Sequence, residues 1–290
     1  MEPNPLFYKS VVPLNRDRHR DWMVVDSEDR YAFARGTHVI PAVVDEFAAA
    51  LAHLPIVFAP SKPYPTTVFL VGVRPSRNLL VGDDGRWKGG YIPAFLRRYP
   101  FMRGEVAGGN AVTCIDERSE LLGRSTGQRL FDADGQETPL LTSTIDLVDK
   151  YFVAARRTDA FLAAIHELQL LRQVTIETSV GQASSSVIHG FMTVDEQRLA
   201  ALGADALLRL RDGGFLAPIY AHLFSLRSVD LLRKVLVEAA GEVGIDGTQG
   251  PVDGDAGDVG SARADDAARE PGQREAAASR SAALDAAANS

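Results

Sequence analysis

Cysteine is nearly absent from this chain of 290 residues, in which Cys114 is the single thiol. One cysteine excludes an internal disulfide framework and any four-cysteine zinc site, and it favours a reducing compartment. The first ten residues also lack the basic start, apolar stretch and cleavage site of a secretory signal. The sequence therefore predicts a cytoplasmic protein.

Long apolar runs are absent too. The most apolar stretches, residues 66–73 and 215–226, are shorter than the roughly 20 residues that a membrane-spanning helix needs. They suit buried strands and core helices, so we expect no membrane insertion.

Several catalytic and cofactor motifs are missing as well. The chain has no Gly-x-x-x-x-Gly-Lys-Ser/Thr, no Gly-x-Gly-x-x-Gly, no His-Glu-x-x-His and no Cys-x-x-Cys. Phosphate-loop, Rossmann and zincin assignments therefore have no support in the sequence, and we expect no cofactor.

Charge is concentrated in the last fifty residues. The formal net charge is −7, and residues 241–290 hold ten acidic residues and four arginines, which leaves −1 for residues 1–240. The body therefore lacks the basic field that a phosphate backbone requires, and we expect no nucleic-acid partner.

Residues 241–290 contain no aromatic side chain and are rich in Ala and Gly. We predict a disordered acidic tail there, and a single domain over residues 1–240.

Strands are predicted mainly in the first half of the body, where β-branched and aromatic runs alternate with turn sequences. The predicted strands are residues 55–58, 67–73, 79–81, 101–106, 111–115 and 128–131. A later hairpin pairs residues 174–180 with residues 186–194.

Helices are predicted mainly in the second half. Pro41 and Pro93 each suit the first turn of a short helix, and Thr138-Pro139 suits the start of a long one over residues 140–171. Because the apolar stripe breaks near residues 156–159, we expect two helices or one that bends. Shorter helices follow at residues 195–202, 205–211, 217–226 and 228–240. The fold class is α+β, with a mostly antiparallel sheet in the first half and helices weighted to the second.

The six histidines show no metal-ligand spacing, because none lies three or four residues from another, and we predict no metal. They are His19, His38, His53, His166, His189 and His222. Asp132-Ala133-Asp134-Gly135 resembles the opening of a calcium loop but lacks the later acidic positions. We predict a hairpin turn before a helix cap instead.

Two polar clusters carry chemistry that a ligand could use. Residues 15–22 contain three arginines. Either these side chains clamp a carboxylate or a phosphate, or the segment is a solvated loop. Arg97 and Arg98 follow two aromatic residues, so they either line a pocket or cover the rim of the core.

His222 lies in an apolar helix, where it is either functional or a hydrogen-bonded core histidine. Cys114 lies in an apolar run and is predicted to be an inert buried thiol.

A series of short motifs runs through the body in a fixed order. The motifs are Pro13-Leu14-Asn15, His19-Arg20, residues 39–47, 54–58, 85–87, 91–101, 114–117, 130–132, 190–196 and 219–226. In this order they resemble the SapC family of bacterial proteins, over about residues 6–235 and not in the tail.

The resemblance implies association with bacterial surface-layer proteins and assigns no catalytic residue. His19, Arg97, Arg98 and His222 match family positions and are our candidate ligand-binding residues. The first hypothesis is a cytosolic, non-enzymatic accessory or binding protein whose partners are surface-layer or secretion proteins. The second is an enzyme for a small polar or anionic substrate, with an arginine clamp and a histidine acid/base. The third is an exported surface-layer component with an uncleaved signal in the tail.

Overall fold

The computed structural model describes residues 5–106, 110–180, 184–230 and 232. The strands of this part are β1 Val11–Pro13, β2 Met23–Val24, β3 Val39–Pro41, β4 Ile56–Ala59, β5 Thr66–Leu70, β6 Phe101–Val106, β7 Asn110–Asp116, β8 Leu122–Gly123, β9 Gln128–Arg129, β10 Leu171–Val180 and β11 Ser184–Val194. The helices are α1 Arg16–His19, α2 Phe47–Ala50, α3 Ala94–Arg97, α4 Pro139–Glu167, α5 Glu196–Ala200, α6 Ala204–Asp212 and α7 Leu216–Ser225. The predicted α+β class is confirmed, with antiparallel sheets and helices mostly in the second half.

The largest sheet has five antiparallel strands in the order β10-β11-β4-β5-β3. Every residue of β4 and β5 is buried, because both faces of these central strands are covered. Their sequences are therefore nearly continuous apolar or β-branched runs without alternation of polar residues. This continuity made them predictable, and the strands expected near residues 55–58 and 67–73 are confirmed.

Pro41 does not begin a helix, which corrects the prediction. It ends β3, where it pairs with Val68 of β5. Because β3 is an edge strand, a residue without an N–H group is tolerated there. The helical segment starts later, with a 3-10 turn over Val44–Glu46 that continues into α2.

Two smaller antiparallel sheets, β1-β7-β6 and β8-β2-β9, complete the strand structure. Strand β6 has the predicted bounds, and β7 extends the prediction by one residue at each end. The turn after β9 is also confirmed. Gly135 adopts a φ of 77° there, and Asp132 Oδ1 accepts a hydrogen bond from the backbone N–H of Gln136.

Helix α4 is one uninterrupted element of 29 residues, about 43 Å long. It begins as predicted, since the Thr138 side chain accepts a hydrogen bond from Leu141 N–H and Pro139 occupies the first turn. Of the two predicted alternatives, two separate helices are wrong, since the helix continues through residues 156–159. Thr158 in this stretch is buried and donates its hydroxyl to the Ala154 carbonyl. Its first half packs in one apolar cluster and its last turns pack in the main core.

Helices α5, α6 and α7 follow the predicted order. Asp195 caps α5 by accepting hydrogen bonds from the backbone N–H groups of Gln197 and Arg198, and Gly213 ends α6. In the described residues no helix has the length and apolarity needed to cross a membrane. The prediction placed the hairpin turn at residues 181–185, and β11 already begins at Ser184. Residues 181–183, most of the last predicted helix and the predicted tail lie outside the described residues.

Candidate functional site

His19 is completely buried at the end of α1, a short helix within the polar cluster of residues 15–22. The Asn15 side chain caps this helix by accepting hydrogen bonds from two backbone N–H groups. His19 Nδ1 lies 2.9 Å from both the backbone nitrogen and the carbonyl oxygen of Asn15. Nε2 lies 3.0 Å from Glu117 Oε1 and donates to it. The histidine therefore ties α1 to the residue that follows β7.

Arg97 and Arg98 lie at the end of α3 in opposite environments. Arg97 is exposed, and its Nε donates to the Ile92 carbonyl at 3.0 Å. Arg98 is only 4% exposed, and its Nη1 donates to the Tyr8 hydroxyl at 2.9 Å and to the Phe101 carbonyl at 3.2 Å. One arginine thus faces solvent while its neighbour lies within the core.

His222 is completely buried between α7 and the large sheet. Val194 N–H donates to Nε2 at 3.1 Å, so the proton lies on Nδ1 and is donated to the Ile56 carbonyl at 2.8 Å. Burial lowers the pKa of His222 to about 4, and the bond to Ile56 opposes this shift only partly. At neutral pH the imidazole is therefore uncharged.

The four candidate residues do not share a set of contacts. His19 pairs with Glu117, Arg98 with Tyr8, and His222 with strands β4 and β11. Within the described residues, no group of three His, Cys, Asp or Glu side chains is arranged to hold a metal ion. The structure therefore assembles no joint arginine and histidine site from these residues.

A buried carboxyl group, Glu46, is not among the candidate residues predicted from the sequence. Its Oε1 accepts hydrogen bonds from the Tyr91 hydroxyl at 2.8 Å and from Ala94 N–H at 2.6 Å, at the start of α3. Its Oε2 is buried without a hydrogen-bond partner. Desolvation raises the pKa of Glu46, and the two hydrogen bonds and Arg97 oppose this shift. An acidic residue next to an apolar run is the signal that could have identified it.

Residues 123–127 read Gly-Arg-Ser-Thr-Gly, which matches the Gly-x-Ser-x-Gly pattern of serine hydrolases. That chemistry requires a sharp turn from a strand into a helix, which exposes the serine hydroxyl. Here the segment joins β8 to β9, two strands that both pair with β2. Gly127 has a φ of 125°, and a Cβ there would lie 2.2 Å from the Val24 carbonyl oxygen. The glycine thus serves close backbone packing, and Ser125 is not in a nucleophile turn.

A cleft of about 330 Å³ opens between the Val44–Glu46 turn, α2, α4 and α7. Its charged lining residues are Asp45 and Arg157, whose Oδ2 and Nη1 atoms form an ion pair at 3.0 Å. Most of the wall is apolar and consists of Val44, Phe47, Ala48, Phe215, Ala217, Pro218 and Ala221. The cleft suits an apolar group with a polar attachment.

Helix α7 carries two exposed aromatic residues beside this cleft. Tyr220 and Phe224 are 47% and 56% exposed, and their rings stack with centroids 6.4 Å apart. Ala217, Tyr220, Ala221 and Phe224 follow helical spacing, so the cleft wall and the aromatic pair share one face of α7. We call this face, with the cleft, the α7 surface.

Comparisons with known proteins give one match. The family model described as SapC matches residues 14–232, which is most of the chain. No curated protein and no solved structure matches.

Proposed function

Because this chain belongs to the SapC family, we propose that it is a non-enzymatic accessory or binding protein linked to surface-layer or secretion functions. Its partner on this proposal is a surface-layer or secretion protein. The binding site is the α7 surface.

The observation that carries the proposal is the exposed aromatic pair of Tyr220 and Phe224. Large aromatic side chains are enriched in the cores of protein interfaces, where their burial contributes most of the binding free energy. Two of them stacked on one helix face form a larger apolar patch than isolated surface residues do. The adjacent cleft offers a pocket for an apolar anchor of the partner.

The charged rim of the cleft adds specificity to such an interface. Asp45 is 39% and Arg157 is 63% exposed at the side chain, so both remain accessible to a partner. Rim charges of this kind affect orientation and association rate more than affinity. At the rim, Asp45 can pair with a cationic group of the partner and Arg157 with an anionic group, and either side chain can form a hydrogen bond with a polar backbone group.

The alternative of an enzyme gains no support from the geometry. It required an arginine and a histidine at one substrate, but His19 and His222 are fully buried and hydrogen-bonded.

We further propose a cytoplasmic location and a single domain over residues 1–240. The free, buried thiol of Cys114 is compatible with a reducing compartment.

Co-purification from the native host tests the proposal. The tagged full chain is compared with a Tyr220→Ser/Phe224→Ser variant, and surface-layer and secretion proteins are quantified in both eluates. Val153→Ser on α4 is the matched control, because Val153 is also exposed, at 59%. We expect the double variant to recover roughly 10-fold less of the partner, and the control to behave as the wild type. Equal recovery by the double variant, or no such protein with the wild type, would contradict the proposal.

A further inference from the structure

Helix α7 carries no charged residue on either of its faces. Its ten residues, Leu216–Ser225, include no Asp, Glu, Lys or Arg. The inner face is buried in the core through Ile219 and His222, while Tyr220 and Phe224 are exposed on the outer face. A surface helix ordinarily carries polar or charged side chains on its outer face, and a helix that is apolar all round is ordinarily buried. The outer face of α7 therefore has the composition of an interface.

The α7 surface presents a ridge and a groove side by side. Tyr220 and Phe224 lie one turn apart with stacked rings, so they form a ridge along the helix. Ala217 and Ala221 form the next row, which is low because each side chain is a single methyl group, and both line the cleft of about 330 Å³. Helices pack when the ridge of one enters the groove of the other. Each copy of the chain thus offers an aromatic ridge and an apolar groove that can receive one.

The charged rim of the cleft is self-complementary as well. Asp45 and Arg157 contribute one charge of each sign, and their ion pair joins Oδ2 to Nη1. The carboxylate keeps a second oxygen and the guanidinium keeps further N–H groups, so each of them can also bind a charge of a second molecule. A contact between identical copies around a two-fold axis requires a surface of this kind, on which every group finds its counterpart in the other copy.

We infer that the α7 surface binds the same surface of a second copy of this chain. The two α7 helices run antiparallel across a two-fold axis, and the aromatic ridge of each copy packs over the alanine row and the cleft of the other. Asp45 of one copy pairs with Arg157 of the other, and the symmetry repeats this pair. Because the contact covers the surface assigned to the partner, self-association competes with partner binding; this consequence rests on the proposed function, whereas the dimer itself does not.

The dimer is expected to be weak. A helix of ten residues is about 15 Å long, so the contact is smaller than the roughly 800 Å² that each partner buries in a standard interface. Interfaces below that size belong to transient complexes, so we expect a dissociation constant in the micromolar range or above. A partner that binds more tightly then displaces the second copy by mass action.

Analytical ultracentrifugation of the purified full chain tests the inference without any partner. We expect the average mass to rise from one chain towards two as the concentration increases. Tyr220→Ser/Phe224→Ser should raise the dissociation constant roughly 10-fold or more, and Val153→Ser should leave it unchanged. A chain that stays monomeric up to its highest soluble concentration would overturn the inference, and a partner captured by that monomer would leave the proposed function intact.

Charge reversal shows whether the contact is made between copies. Asp45→Arg and Arg157→Asp each break the ion pair within the chain and place like charges across the two-fold axis, so we expect each variant alone to dimerise roughly 10-fold more weakly. Both side chains are exposed, so the substitutions should cost little stability. In an equimolar mixture of the two variants, opposite charges meet only between copies, and we expect the dimer to return as a heterodimer.

The exposed pair of Lys9 and Glu120 provides the matched control. Lys9→Glu and Glu120→Lys change the net charge in the same two directions at a place outside the α7 surface, so both variants, alone or mixed, should dimerise as the wild type does. No gain of dimer on mixing the Asp45 and Arg157 variants, or an equal gain on mixing the control variants, would overturn the inference.

Discussion

His222 on α7 donates its Nδ1 proton to the backbone carbonyl of Ile56 on β4, at 2.8 Å and across 166 residues of sequence. The same ring accepts a hydrogen bond from Val194 N–H on β11. Ser225, one turn further along α7, accepts a hydrogen bond from Ile56 N–H. Two side chains of α7 thus satisfy backbone groups of two adjacent sheet strands, and this holds the α7 surface in a fixed position.

The contribution of His222 to the stability of the protein should fall as the pH drops from 6.5 towards 4. The pKa of His222 is lowered to about 4 in the folded state, so the unfolded chain takes up its proton first. The contribution of the neutral ring is complete above pH 6.5, and about 3 kcal/mol is lost by pH 4. Urea unfolding at several pH values measures this loss. His222→Gln removes the titrating group and should flatten the profile between pH 6.5 and 5, and an unchanged slope there would contradict the assignment.

The Glu46→Gln variant should become more stable relative to the wild type as the pH rises. Burial raises the pKa of Glu46, so the folded protein holds this proton more tightly than the unfolded chain does. The wild type therefore loses stability as the pH increases through the raised pKa, while the amide, which keeps an acceptor oxygen for Tyr91 and Ala94, does not. Thermal unfolding of both proteins from pH 4.5 to pH 8 gives the difference. A constant difference across that range would show that Glu46 titrates normally.

Replacement of Glu117 should separate the loss of a charge from the loss of an acceptor. Glu117→Gln retains an oxygen for the Nε2 proton of His19, whereas Glu117→Leu leaves that proton inside the core without an acceptor. We expect the leucine variant to be about 1–3 kcal/mol less stable than the glutamine variant in chemical denaturation. Glu120, whose ion pair with Lys9 is exposed, provides a control, since Glu120→Gln should cost less than about 1 kcal/mol. Equal stability of the two Glu117 variants would mean that water replaces the lost acceptor.

The thiol of Cys114 should react slowly in the native protein. It is buried, and desolvation raises its pKa to about 11, so little thiolate forms at pH 8. A disulfide reagent should modify it rapidly only after unfolding in urea. Fast stoichiometric reaction without denaturant would show that the strand β7 opens readily.

Local signals in the sequence identified several elements correctly. The Thr138 cap rests on interactions within a few residues, and β4 and β5 are nearly continuous apolar or β-branched runs. The pairing of strands from distant segments could not be predicted from such local signals. Strands β1 and β2 have three and two residues, so they depend on partners more than ninety residues away.

The candidate site shows the same limit. Arg97 and Arg98 are neighbours on an amphipathic helix, and nothing local determines which of them enters the core. The answer depends on Tyr8 and Tyr151, which come from distant segments. His19 and Glu117 likewise meet across 98 residues. The exposure of Tyr220 and Phe224 could not be predicted from the sequence either, because an apolar helix is ordinarily assigned to the core.

Site-specific photo-crosslinking from α7 is the most direct test of the central claim. A photoreactive phenylalanine analogue is placed at Phe224 of the full chain in the native host, and at Val153 as the exposed control. The account predicts that a surface-layer or secretion protein is crosslinked from position 224 and not from position 153. The absence of any such protein at position 224, or equal crosslinking from both positions, would contradict it.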